Sequence, residues 1–256
     1  MHIVAVYGWH QEESVVAKTI ADTMGSLVFE TRQKISDGGP AVVASFADAQ
    51  QAKLLAARLI QGGVPALVVD VDTVRSKTSP LYIHRFILGP QLLRLELSDG
   101  KVCSLDYRNI DLLLVATCTA GQSQIMVTET QRKFSLGKTV LAGGIPMTKK
   151  VKSETVVVTE ERDETLWLYT RKGARAIFDR AAMNYNSLGD AMQLTRDLNF
   201  SHFKNELQRL APQATFDDRL LKRAALIRLL GPALNPEVDH DLAFEILARS
   251  LKEKSD

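Results

Sequence analysis

The residues of this 256-residue chain that can do chemistry are few and scattered. The nearest approach to a phosphate loop is Ser135-Leu136-Gly137-Lys138-Thr139. That loop needs a second glycine five positions before Gly137, so that the backbone can wrap around phosphate, and Arg132 stands there instead. The segment therefore reads as a basic surface loop. The five histidines, His2, His10, His84, His202 and His240, do not pair with one another at ligand spacing. The densest metal candidates are His10 with Glu12 and Glu13, and Asp239-His240-Asp241. Both fall where a helix is expected to begin, and there the carboxylates complement the positive end of the helix dipole. No Gly-x-Ser-x-Gly elbow is present, and Gly121-Gln122-Ser123 precedes a strand. Cys103 lies within an expected strand and Cys118 ends one, so both are expected reduced and buried as small hydrophobes. No activating constellation emerges, and neither cofactor nor metal is expected.

One local feature rises above this background. Between Gln131 and Ser153 stand Arg132, Lys133, Lys138, Lys149, Lys150 and Lys152 with no acid, a charge of +6 over 23 residues. The centre, Thr139 to Met147, is apolar and glycine-rich. Such a segment suits an acidic partner, a phosphate-bearing ligand or an anionic membrane surface. The plainer and preferred reading is a solvated loop whose apolar centre folds onto its own domain. Nucleic acid is not expected, because base stacking wants aromatics beside the lysines and only Phe134 is there.

Positioning such residues requires a core, and the composition supplies one. Hydrophobic residues make up 45% and charged residues 24%, which argues against wholesale disorder. A net charge of +2 is too near balance for a nucleic-acid-coating protein. No run approaches the roughly 18 apolar residues of a membrane span. The opening MHIVAVYGWHQEES lacks the basic region and apolar run of a signal peptide, so a cytoplasmic location is expected.

The first seventy residues alternate between strand and helix signals. His2–Tyr7 is a β-branched run, and Val15, Val16, Ile20 and Met24 recur at helical spacing before Gly25. Leu27, Val28 and Phe29 predict a second strand, Ala41–Phe46 a third and Pro65–Val71 a fourth. Between the last two, Asp48 is placed to cap a helix carrying Ala52, Leu55, Ala56, Leu59 and Ile60. The order β-α-β-β-α-β predicts a ferredoxin-like domain over residues 1–72. The string VVASFADAQQAKLLAARLIQGGVPALVVD resembles two families, the small prokaryotic signal-transducing domains and the cell-wall-binding SPOR domains. SPOR domains work outside the cytoplasm, and the expected location favours the former.

Asp72–Pro80 reads as a polar linker. Beyond it, Tyr82–Leu88, Leu92–Leu97, Lys101–Leu105 and the nearly all-apolar Asp111–Cys118 predict strands, with Ser98-Asp99-Gly100 as a hairpin turn. Glu154–Thr159, Thr165–Thr170 and Arg175–Asp179 resume the pattern, with reversals at Asp163-Glu164 and Lys172-Gly173. Trp167 and Tyr169 alternate and should share a face. Helices are expected over Ser187–Leu210, over Asp217–Leu230, and from Asn235-Pro236 to about Leu251. The stretch RFILGPQLLRLELSDGKVCSLDYRNIDLLLVAT resembles the opening strands of a bacterial PH-like domain, with Tyr107, Arg108 and Ile110 at its aromatic-Arg-x-Ile step. That resemblance implies an antiparallel β-barrel or sandwich over residues 81–210 with a closing helix, and leaves 211–256 as a helical extension.

The expected class is thus α+β. The expected function is a non-enzymatic binding or regulatory module, an adaptor or sensor for a protein or small ligand, with self-association through a sheet edge. Two alternatives stand beside it: peripheral binding to an anionic membrane through the 131–153 segment, and an enzyme whose residues converge only in the fold.

Overall fold

The computed structural model of the protein describes residues 1–76, 80–134 and 148–253, with 119–134 and 148–162 described as backbone. The chain divides into two units, Met1–Cys118 with Asp163–Asp256, and Thr119–Arg162. The class is mixed α and β, built on a three-stranded and a seven-stranded sheet.

The small sheet forms from β1 (His2–Val6), β2 (Ala41–Phe46) and β3 (Ala66–Asp70) in the order β2-β1-β3, with β1 antiparallel to both neighbours. Helices α1 (Glu13–Met24), α2 (Val28–Ile35) and α3 (Ala49–Gln61) connect these strands, and α4 (Val71–Ser76) follows β3. Asp48 caps α3 as its position predicts, its carboxylate accepting from the Gln50 N–H at 2.9 Å. The strand expected at Leu27–Phe29 is instead the start of α2. All three of those side chains are exposed, at 66%, 43% and 70%. A strand in this sheet would bury at least one face, and the Glu30-Thr31-Arg32-Gln33-Lys34 that follows propagates a helix. The first part of the expected linker, from Asp72 to Ser76, together with Val71, the last residue of the expected fourth strand, is α4, tied by the Arg75 guanidinium to Asp239 at 2.7 Å.

The large sheet takes the order β10-β7-β8-β9-β4-β5-β6, open at both ends. Its strands are β4 (Leu81–Leu88), β5 (Leu92–Leu97), β6 (Val102–Asp106), β7 (Ile110–Phe134), β8 (Thr148–Thr170), β9 (Arg175–Asp179) and β10 (Thr215–Leu220). The antiparallel barrel expectation fails here, because β4 runs parallel to β9 and β10 parallel to β7. The Asp99-Gly100 hairpin is present, with Gly100 at φ 81° and its N–H donating to the Leu97 carbonyl at 2.9 Å. No reversal occurs at Asp163-Glu164. The strand runs through, Asp163 pairing with Arg180 and Glu164 with Lys204. The long helix expected over Ser187–Leu210 is a 3₁₀ turn, Asn186–Ala191, followed by α5 (Arg196–Leu210), whose N-terminus Thr195 caps through the Leu198 N–H at 3.2 Å. The helix expected at Asp217–Leu230 divides into β10 and α6 (Arg223–Leu230), and α7 (His240–Glu253) begins later than its Asn-Pro signal. Residues Asn235–Asp239 close a turn of their own, with the Asn235 N–H donating to Asp239 Oδ2 at 2.9 Å.

Three apolar clusters explain the layering. Val4 and Val6 of β1 pack with Val16, Ile20, Leu55 and Leu59 of α1 and α3. The alternate residues Ile3 and Ala5 pack with Leu229, Leu230, Phe244 and Leu247 of α6 and α7. The same cluster continues into the large sheet through Leu112, Leu114, Trp167, Tyr169 and Ile177, with Trp167 stacked on Phe244 at 4.1 Å between ring centroids. The other face of that sheet, with Leu113, Val115, Leu166, Leu168 and Phe178, is sealed by Phe200, Phe203 and Leu207 of α5. Helix α7 is therefore a wall shared by the two sheets; it covers Leu112, Leu114 and Ala116 while α5 seals Leu113 and Val115, so both sides of this apolar run are buried. Each fully buried phenylalanine here contributes about 1.5–3 kcal/mol through its removal from water.

Candidate functional site

Helix α7 places Glu245, Ala248, Arg249 and Lys252 at spacings of three and four, hence on one face. That face forms one wall of a cleft of about 600 Å³. The opposing wall is Tyr169 near the end of β8, the turn Lys172-Gly173-Ala174, Arg175 at the start of β9, and Pro80-Leu81. The turn is fixed by the Gly173 N–H donating to the Thr170 carbonyl at 2.9 Å and by the Ala174 N–H donating to Thr170 Oγ1 at 3.0 Å. Tyr169 and Arg175 are direct cross-strand partners, so their side chains project to the same side.

Two buried polar groups distinguish this cleft. Glu245 is 6% exposed, and its Oε1 accepts from Arg249 Nε at 2.8 Å. Tyr169 is 4% exposed, and its hydroxyl has no hydrogen-bond partner. Burial pushes the phenol well above its ordinary pKa, and the Glu245 charge pushes the same way. The Arg175 guanidinium opposes both and is near enough to polarise the hydroxyl, though the two do not meet in hydrogen-bond geometry. A buried hydroxyl left without a partner costs about 1–3 kcal/mol. Lys172, Arg175, Arg249 and Lys252 set four cations against the Glu245 carboxylate, and Asp111, paired with Lys252 at 2.7 Å, removes one of those four.

The phenol stays protonated at physiological pH and is a donor, not a base or nucleophile. The charged pair that an enzyme reading looks for is present in Glu245 and Arg249, and among the described residues no serine, cysteine or histidine lines the cleft.

None of the candidate site residues singled out from sequence is among the described residues that line this cleft. The backbone of Arg132 and Lys133 belongs to β7 and that of Lys149, Lys150 and Lys152 to β8, so the flanks of the expected basic loop are strand. Their side chains, and Lys138 with the Ser135–Thr139 motif, lie outside the described residues. Among the described residues, no three His, Cys, Asp or Glu side chains gather as a metal site requires. Asp239 is 7% exposed and serves as a structural hub between Arg75 and the Asn235 turn. Cys103 and Cys118 are half-buried free thiols, and burial raises the pKa of both. Tyr169, Arg175, Glu245 and Arg249 escaped the sequence reading. One signal for them existed: Glu245 interrupts the run Leu242-Ala243-Phe244-Glu245-Ile246-Leu247, and a carboxylate inside an apolar helix face is uncommon without a purpose. No family model, curated protein or solved structure matches this chain.

Proposed function

We propose that this protein is a non-enzymatic binding module, an adaptor or sensor, that takes a small oxyanion-bearing ligand in the cleft between α7 and the β8–β9 turn. The observation that carries the reading is the Tyr169 hydroxyl, buried without a partner in a cleft whose charged side chains are mostly cations. A phosphate or carboxylate oxygen is the acceptor the phenol lacks, and Arg175 and Lys172 bring positive charge to the cleft beyond the Glu245–Arg249 pair. The volume falls within the usual range for small-molecule sites, about 300–1,000 Å³.

The finer fold readings belong with this proposal. The small sheet is read as a ferredoxin-like layer with three strands, supported by the α1 and α3 packing on one face. The β4–β9 strands with α5 are read as PH-like, supported by the closing position of that helix.

The test is calorimetric titration of the full chain with inorganic phosphate and with citrate, repeated on Tyr169→Phe and Arg175→Ala. A hydrogen bond to a charged group contributes about 1.5–3 kcal/mol, so each variant should weaken binding tenfold or more. Binding of neither anion, or equal binding by wild type and both variants, overturns the proposal.

A further inference from the structure

The Tyr169 cleft is larger than the group its phenol lacks. Its volume of about 600 Å³ equals the share of about 20 water molecules at about 30 Å³ each, and a bare phosphate or carboxylate fills only a fraction of that. The rest of the lining decides what else the ligand carries.

Much of the hydrogen-bonding capacity of that lining is already engaged within the protein. On the α7 wall Glu245 is paired with Arg249 at 2.8 Å, and Lys252 with Asp111 at 2.7 Å. In the opposing turn the Gly173 and Ala174 N–H groups donate to Thr170, and the Ala174 carbonyl accepts from the Thr170 N–H at 3.0 Å. The Asp241 charge also reaches the phenol, but Asp241 is not among the described residues that line the cleft. A polar group of a ligand set against these partners would leave water for little return, whereas an apolar group gains by leaving water.

The apolar lining is Pro80, Leu81, Ala174 and Ala248. Ala248 is buried on α7 between the Glu245 and Lys252 positions. Leu81 opens β4, and its backbone is fixed by pairing with Ala176 of β9. It is 36% exposed and belongs to none of the three apolar clusters, so its surface in the cleft is not consumed by the core. One cleft therefore holds a buried donor without a partner and an apolar wall that the fold leaves uncovered. Small-molecule sites combine the same two elements, a few placed polar groups and an apolar remainder.

We infer that the ligand is an amphiphilic organic anion, a phosphate or carboxylate carried on an apolar body, with its head on the Tyr169 hydroxyl and its body against Pro80, Leu81 and Ala248. This inference rests on the proposal that the hydroxyl meets an oxyanion.

The test is calorimetric titration of the full chain with methyl phosphate and with phenyl phosphate at about pH 8, above the second phosphate pKa near 6, so that the two share head and charge and differ in the body. In the wild type phenyl phosphate should bind at least tenfold more tightly, because its ring leaves water for the apolar wall. Leu81→Ser should narrow that preference by about threefold, read as the ratio of the two affinities, and Tyr169→Phe should weaken both ligands by the same factor. Circular dichroism establishes that each variant is folded. Equal affinities for the two ligands in the wild type, or an unchanged preference in folded Leu81→Ser, overturn the inference while leaving the oxyanion reading in place. Binding of neither ligand overturns both.

Discussion

Replacing Tyr169 by phenylalanine is a perturbation whose sign the structure dictates. In the ligand-free protein the phenol oxygen is buried, and a buried hydroxyl without a partner costs about 1–3 kcal/mol relative to water. Deleting it removes that penalty and leaves the ring packed with Trp167, Ile177 and the α7 residues. Part of the gain is offset by the small void where the oxygen was. The expected net effect is a stabilisation of about 1 kcal/mol, which for a chain of this size raises the melting temperature by about 2–4 °C. Ligand reverses the order. At a ligand concentration of about a hundred times Kd, the wild type gains about 2.7 kcal/mol, whereas the variant, with Kd raised tenfold, gains only about 1.4 kcal/mol. Thermal melts followed at 222 nm, with and without phosphate, should therefore show the variant above wild type when free and level with it or below when liganded. A ligand-free variant that melts more than about 2 °C below wild type would falsify the reasoning, because it would mean that the hydroxyl has a working partner, with Arg175 the nearest candidate.

Two further outcomes test the scaffold. Gly39→Ala forces a methyl against the Trp9 ring at 2.8 Å in a backbone conformation that alanine resists, so a loss of about 2–3 kcal/mol is expected in urea denaturation, accompanied by altered tryptophan fluorescence. The second concerns alkaline pH. All five tyrosines have raised pKa values, Tyr7 and Tyr107 pushed up to about 12, with burial the largest cause in each case. Because the folded values lie above the unfolded value near 10, the neutral phenols favour the folded state. Their contribution is complete below pH 10 and is lost as pH rises through 10 towards 12. Tyr7 and Tyr107 should contribute no tyrosinate absorbance near pH 10, and their ionisation above pH 11 should coincide with loss of near-ultraviolet dichroism; a five-tyrosine step at pH 10 in folded protein would contradict the structure.

How much of this was readable in the sequence depends on whether the signal was local. Asp111–Cys118 announced itself as a strand by being nearly all apolar, and the structure supplies the reason, since separate clusters flank Leu112 on one face and Leu113 on the other. The Asp99-Gly100 turn, the Asp48 cap and the shared face of Trp167 and Tyr169 were equally local. What failed depended on partners. Thr215–Leu220 carries two aspartates and an arginine, and it is a strand only because β7 offers it a parallel edge. Asp163-Glu164 resembles a turn until Arg180 and Lys204 are seen beside it. Glu245 and Tyr169 lie 76 positions apart, and no spacing rule connects a helix face at the end of the chain to a strand before it.

The shared position of α7 also sets a timetable for the nascent chain. Ile3, Ala5, Val42, Leu67 and Val69 can be ordered early, since β1, β2 and β3 are all contained in the first seventy residues. Their cover, Phe244, Ile246 and Leu247, is translated only after about 170 further residues, on the order of 10–30 s later at typical elongation rates. For that interval a three-stranded sheet stands with one greasy side bare on the ribosome. A ribosome stalled before residue 240 would leave that face uncovered, an aggregation-prone fragment rather than a smaller folded protein.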